Sequence, residues 1–163
     1  MKIYGVTGWK NTGKTSLVER LVCEFSARGL TVATVKHAHH SADVDVPGTD
    51  SYRHRAAGAG QVILATPARW ALMTEVKDGD EPALDDLLTQ LAPHDIVLVE
   101  GYKGAPHPKI ECYRAAAQTR QLISDDNASI RAVATDTSVD ATVPVFDLND
   151  VTAIANFIWN DLT

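Results

Sequence analysis

Apolar positions along this chain fall into short runs that switch between the strand period and the helix period, and the switches mark the elements. Ile3, Tyr4 and Val6 read as a buried strand, and Leu17, Leu21, Val22 and Phe25 then recur with helical spacing until Gly29 stops the helix after Arg28. Leu30 to Val35 is a second strand, ending at Lys36-His37. A strand, a helix and a strand in that order predict a right-handed crossover and a parallel pair.

Gln61–Ala65 and Ala68–Val76 are predicted strands joined by Thr66-Pro67, which suits a hairpin. Pro82 to Leu91 reads as a helix with Leu84, Leu87, Leu88 and Leu91 on one face. Asp95 to Gly101 is an almost continuous apolar run finishing in Glu100, the form of a central strand buried on both faces. Lys109 to Arg114 alternates like a half-exposed strand, and Ile130 to Asp136 and Val143 to Asp147 read as two more strands. A last helix from Asn149 or Asp150 carries Val151, Ile154, Ile158 and Trp159 as its packing stripe, facing either the core or a second copy of the chain. The pattern predicts an α/β fold with a mostly parallel sheet and an antiparallel excursion.

One stretch sharpens this to a chemistry. Gly8-Trp9-Lys10-Asn11-Thr12-Gly13-Lys14-Thr15 has two glycines, then Lys and Thr, set between the first strand and the first helix. Successive backbone N–H groups of such a turn converge on a polyphosphate, and the positive end of the following helix adds to their field. Lys14 is placed for the β- and γ-phosphates and the Thr15 hydroxyl for a magnesium ion. Glu100, at the end of the second strong strand, is placed to hold a magnesium-bound water or to orient an attacking water. Its alternative is a strand-end carboxylate paired with Lys103 or Lys14. The fold class is then a three-layer α/β/α phosphate-loop NTPase fold over residues 1–163 as one domain.

The segment from His37 to Asp50 is rich in chemistry and poor in apolar periodicity, and reads as a long functional loop leaving a strand end beside the phosphate loop. His37, His39 and His40 with Asp43 and Asp45 are either a metal site or a polar loop whose charges are solvated or touch phosphate. Ser51 to Gly58 reads as a short helix capped by Ser51 or Asp50, with Arg53 and Arg55 either clamping phosphate or forming a solvated basic face. The broken loop from Tyr102 to Pro108 is a candidate contact for a second substrate or a partner protein. Asp136 stands where a late-strand carboxylate reads guanine donors in phosphate-loop GTPases, although the Asn-Lys-x-Asp string is absent; capping a turn is the other reading.

Composition narrows the partners. The chain has 163 residues, a formal charge of -6 and only two cysteines. An acidic chain has no general attraction for nucleic acid or an anionic membrane, so phosphate binding must come from local geometry. Cys23 and Cys112 are too few and too distant for a zinc knuckle, and burial as small apolar side chains is expected of both. With no long apolar segment near Met1 or elsewhere, the expected location is the cytoplasm.

Gly8–Thr15, Lys36-His37-Ala38-His39-His40, Pro47–Arg55 with Ala57-Gly58-Ala59, and Val99-Glu100-Gly101-Tyr102-Lys103, in that order, resemble the molybdopterin-guanine dinucleotide biosynthesis protein B family over nearly the whole chain. The resemblance implies a GTP-binding, homodimeric protein that assists the guanylyltransferase attaching GMP to molybdopterin, so its partners are GTP, molybdopterin or its guanine dinucleotide, and that transferase. It implies phosphate contacts from Asn11, Thr12, Gly13, Lys14 and Thr15, which extend to the neighbouring Gly8 and Ser16. Magnesium is implied near Thr15 and Glu100, with Asp45 or Asp50 as a supporting carboxylate. Lys10 resembles the extra lysine of related dimeric NTPases, one position later and without their following Gly-Gly. Nucleotide contacts from His37, Arg53 and Asp136 complete the candidate site. Three functions remain open: a slow GTPase with Lys14 and Glu100 as its catalytic groups, an adaptor that needs no hydrolysis, and a small-molecule kinase.

Overall fold

The structure is a computed structural model that describes residues 1–38, 44–76, 81–117 and 121–163. The chain divides into two compact units, residues 1–37 with 89–163, and residues 38–88.

In the first unit, six parallel strands form one sheet: β1 (Lys2–Thr7), β2 (Val32–Lys36), β5 (Ile96–Glu100), β6 (Lys109–Tyr113), β7 (Ile130–Thr135) and β8 (Val145–Asp147), in the spatial order β2-β5-β1-β6-β7-β8. Helix α1 (Lys14–Ala27) packs on β1, β2 and β5 and against helix α4 (Val151–Asp161). Their shared core includes the fully buried Tyr4, Leu17, Leu21, Phe25, Leu98, Ile154 and Ile158. Successive strand residues point to opposite faces, so Cys112, Ala132 and Ala134 join that core while Tyr113 and Val133 face the other way, where Leu122 and Val143 meet them.

The second unit contains α2 (Asp50–Ala56), α3 (Leu84–Leu88) and the antiparallel pair β3 (Gln61–Ala65) and β4 (Trp70–Thr74). The expected hairpin is therefore present, as a sheet of its own separate from the parallel one.

Several sequence expectations are corrected. β6 is not half-exposed: all five of its residues are buried, including two charged ones. The Lys109 ammonium donates to the Ala105 carbonyl, to the His107 carbonyl at 2.8 Å and to Ser129 Oγ at 3.0 Å, and burial pushes its pKa down to about 8. Glu111 accepts the N–H groups of Ile123 and Ser124 at 2.9 Å, and burial pushes its pKa up despite those donors. Polar residues alternate with apolar ones in β6, but each brings its own partners inside. Cys23 is exposed on α1, whereas Cys112 is buried, its thiol pushed up to about 12 by burial.

The cap of α2 is Thr49, whose side chain accepts from Tyr52 N–H; Ser51 and Asp50 lie inside the helix. Ser51 turns its hydroxyl to Asp45 instead, at 2.9 Å. The Asp45 carboxylate also takes the Thr49 hydroxyl, the Val46 N–H and the Arg55 guanidinium, and Arg55 continues to Glu75 at 2.7 Å. Asp45 thus fastens its loop to α2, and α2 to the end of β4.

Burial works against ionisation of Asp45, but the hydrogen bonds from Ser51, Thr49, Val46 and Arg55 outweigh it and hold the carboxyl below its ordinary range. A depressed folded-state pKa contributes stability above the unfolded value of about 3.9 and loses it as pH falls through the folded value. Amide exchange should therefore show residues 49–57 losing protection, after correction for intrinsic rates, as pH falls below about 5. In Asp45→Asn that pH-dependent step should disappear; an unchanged step would remove Asp45 as its origin.

Candidate nucleotide site

Helix α1 begins on Gly13 in a left-handed conformation (φ 91°), with no side-chain cap and no acidic residue in its first turn. The other two helices with an assigned cap have one from a side chain, Thr49 on α2 and Asp150 on α4. Uncapped N–H groups and the positive helix end suit the start of α1 to an anion. Parallel strands β5 and β6 hold β1 on either side, and this fixes the loop's point of departure.

The loop leaves little freedom. A Cβ on Gly8 would lie 2.4 Å from the Cys112 carbonyl oxygen and 2.7 Å from Thr12 Oγ1, at φ 137°. Asn11 adopts φ 63°, a conformation asparagine tolerates better than most residues. Thr12 is fully buried and donates to the Trp9 carbonyl at 2.9 Å; Lys14 donates to the same oxygen at 2.7 Å. Burial lowers the pKa of Lys14, opposed by Cys112 and Glu100. The Trp9 indole N–H donates to the Gln121 carbonyl, and the Lys103 ammonium sits 3.9 Å above its ring. Lys10, Thr15 and Ser16 are exposed around the loop.

On the β5 side, Thr15 Oγ1 donates to Glu100 Oε1 at 2.9 Å. Lys36 Nζ lies 3.1 Å from that carboxylate oxygen and 3.2 Å from the Thr15 hydroxyl. Glu100 therefore pairs with Lys36, not with Lys103 or Lys14, because Lys36 and Glu100 stand opposite each other in the β2–β5 register. A hydroxyl and a carboxylate at this separation suit magnesium, which takes one or two protein oxygens and completes its shell with water and phosphate. The Lys36 ammonium lies against both oxygens.

Beside them, His37 N–H donates to the Glu100 carbonyl, and the His37 ring stacks on Tyr102 with centroids 4.7 Å apart. Tyr102 has φ 46°, and a Cβ on Gly101 would come within 2.9 Å of His37 Cβ. The chain after Glu100 is thus bent tightly against the end of β2.

On the other side of β1, Asp136 follows β7 and lines a cleft of about 490 Å³ with Thr135, Thr137, Ser138, Asp147 and Asn149. Its Oδ1 accepts the Ala115 N–H at 3.1 Å. The first unit therefore brings together Gly8, Lys10, Asn11, Thr12, Gly13, Lys14, Thr15, Ser16, His37, Glu100 and Asp136 along one edge of the sheet.

Asp45, Asp50 and Arg53 belong to the second unit. Asp50 and Arg53 are exposed and 3.8 Å apart, while Asp45 is held as described above. Of the proposed metal cluster, His39, His40 and Asp43 lie outside the described residues; among the described residues no group of three or more His, Cys, Asp or Glu is arranged to hold a metal ion. No helix among them is long and apolar enough to cross a membrane. The sequence reading missed Lys36 and Trp9 as parts of the site. Lys36 had a usable signal, as the last residue of a strand ending beside the loop.

Comparison with known proteins agrees with this architecture. The family described as molybdopterin guanine dinucleotide synthesis protein B matches residues 3–136. The chain is 42% identical over 154 residues to the molybdopterin-guanine dinucleotide biosynthesis adapter protein of Escherichia coli (strain K12), covering 92% of this chain and 87% of that one. It is 41% identical over 161 residues to the adapter protein of Haemophilus influenzae, covering 97% and 88%. The crystal structure of a MobB homolog from Bacillus stearothermophilus superposes with a TM-score of 0.71 at 28% identity, covering 99% of this chain and 98% of that one. Bacillus subtilis MobB gives 0.77 at 24% identity over 100% and 99%, a likeness of fold.

Because Gly8 combines a positive φ with backbone against its Cβ position, Gly8→Ala should cost about 2 kcal/mol or more in urea unfolding. The same substitution at Gly104, where a Cβ meets nothing within 4 Å, should change stability by less than about 0.5 kcal/mol. Equal losses at the two positions would contradict the crowding at Gly8.

Proposed function

The chain belongs to the molybdopterin guanine dinucleotide synthesis protein B family, and from that membership we propose that it holds GTP with magnesium at the α1 start as an adapter in the step attaching GMP to molybdopterin. The observation that carries this reading is the uncapped helix start beside Lys14 and the Thr15–Glu100 pair. Thr15 and Glu100 would hold the magnesium ion, which when bound offsets charge on the phosphate chain. The Thr135–Asn149 cleft takes the base, with the Asp136 carboxylate as acceptor for guanine N–H groups.

The adapter reading is favoured over a fast GTPase by what Glu100 already does. It is 7% exposed and engaged by Thr15 and Lys36, an arrangement suited to holding a cation more than to taking a proton from water. The partner is the guanylyltransferase that transfers GMP, and the cytoplasm is the site of action. A homodimer is part of the reading. Ile63, Leu72 and Trp70 lie on one face of the β3–β4 pair, 64%, 37% and 67% exposed, and a contiguous apolar face left bare marks a contact surface.

Calorimetric competition between GTP, ATP, CTP and UTP should show preference for GTP, and Lys14→Ala should remove most of that affinity. Preference for ATP would overturn the base assignment, and unchanged binding in Lys14→Ala would overturn the site. Glu100→Gln should weaken the magnesium dependence of GTP binding by about tenfold while leaving magnesium-free binding nearly intact; an unaltered dependence would remove Glu100 from the metal. Trp70→Glu should shift the protein toward monomer in sedimentation, and an unchanged association state would place any dimer contact elsewhere.

A further inference from the structure

Arg114 directly follows β6, on the side of the phosphate loop away from Glu100. Its guanidinium lies against the loop: a Cβ placed on Gly13 would be 3.0 Å from Nε, 3.2 Å from Nη2 and 3.3 Å from Cζ. The Nε atom is buried and has no hydrogen-bond partner among the described residues. A buried donor on a permanently charged group is costly to leave unpaired, and such groups in folded proteins mark a place where an acceptor arrives. The acceptor has to be anionic and compact, since the same neighbourhood already contains the Lys14 ammonium.

The strand order says which part of an anion this is. Lys36, on β2, and Glu100, on β5, stand on one side of β1, and Arg114 and then Asp136 stand on the other, after β6 and β7. The residue after Arg114, Ala115, is tied to Asp136 by its N–H. Arg114 therefore sits between the loop that takes the phosphates and the cleft assigned to the base. We propose that Arg114 binds the phosphate nearest the nucleoside, by the paired N–H geometry that guanidinium offers to phosphate oxygens. This rests on the nucleotide-site reading above but not on the identity of the base. A contact at that end is shared by di- and triphosphates and stays in place when the terminal phosphate and its magnesium leave.

The test is calorimetry of wild type, Arg114→Ala and Arg114→Lys with GTP, GDP, ATP and ADP, each with and without magnesium, beside melting of the nucleotide-free proteins. Arg114→Ala should weaken the preferred tri- and diphosphate by the same factor, about ten- to a hundredfold, with and without magnesium. Arg114→Lys should recover part of the loss. The nucleotide-free melting temperature should not fall, because a group with an unpaired buried donor is removed. Unchanged diphosphate affinity, a loss confined to the triphosphate, or an affinity loss that follows a lower nucleotide-free melting temperature would each overturn the proposal. If adenine nucleotides are preferred, the guanine reading fails while ADP still decides the role of Arg114; absence of diphosphate binding to wild type sinks the proposal itself.

Discussion

The start of α1 is the constraint on which the rest of the molecule depends. Four N–H groups at a helix start need acceptors, and the usual remedy is a Ser, Thr, Asp or Asn side chain at the cap. Here the cap is a glycine in a left-handed conformation, its flank occupied by a guanidinium. The parallel sheet makes this tolerable. β1 is held by β5 and β6, the Cys112 carbonyl closes over Gly8, and Trp9 is tied to Gln121. The scaffold is rigid where the loop is not self-sufficient.

Around that point the chemistry is arranged by strand order. Strand ends on one side of β1 carry a carboxylate, a hydroxyl-bound lysine and a His–Tyr stack; strand ends on the other carry an arginine and an open cleft with two aspartates. The Glu100–Lys36 pair and the Arg114 guanidinium are thereby kept on opposite sides of β1 along a single edge. Buried charge elsewhere serves the same edge: Lys109 ties the segment after Glu100 to the start of β6, and Glu111 anchors the segment that supplies the Gln121 carbonyl.

The phosphate loop was readable from sequence because all its requirements are local: glycines where φ is positive, Lys and Thr at fixed offsets, a strand before and a helix after. Glu100 was readable as a strand-end acid for the same reason. What it pairs with was not, since the Lys36–Glu100 contact depends on β2 lying beside β5, which no local pattern encodes. β6 was misread because polarity stood in for exposure, and Lys109 and Glu111 find oxygen acceptors and N–H donors inside the protein. The α2 cap was misplaced by one or two residues because Thr49, Asp50 and Ser51 can all cap, and only the fold shows Ser51 turned toward Asp45. Among the described residues, the carboxylates assigned to magnesium separate by unit, with Glu100 in one and Asp45 and Asp50 in the other.

The central position of β1 has a consequence for how the protein is made. Lys2 pairs with Ile96 and Gly5 with Lys109, and the whole second unit is encoded between the first strand and both its neighbours. On a ribosome adding roughly 5–20 residues per second, β1 waits on the order of 5–20 s for the strands that flank it. During that interval the elements of its own unit already made are α1 and β2, and pairing so distant in sequence is slow. The strand that carries the phosphate loop is made before both its neighbours and is completed only when they arrive. The site cannot hold its ligand until nearly the whole of the first unit is in place.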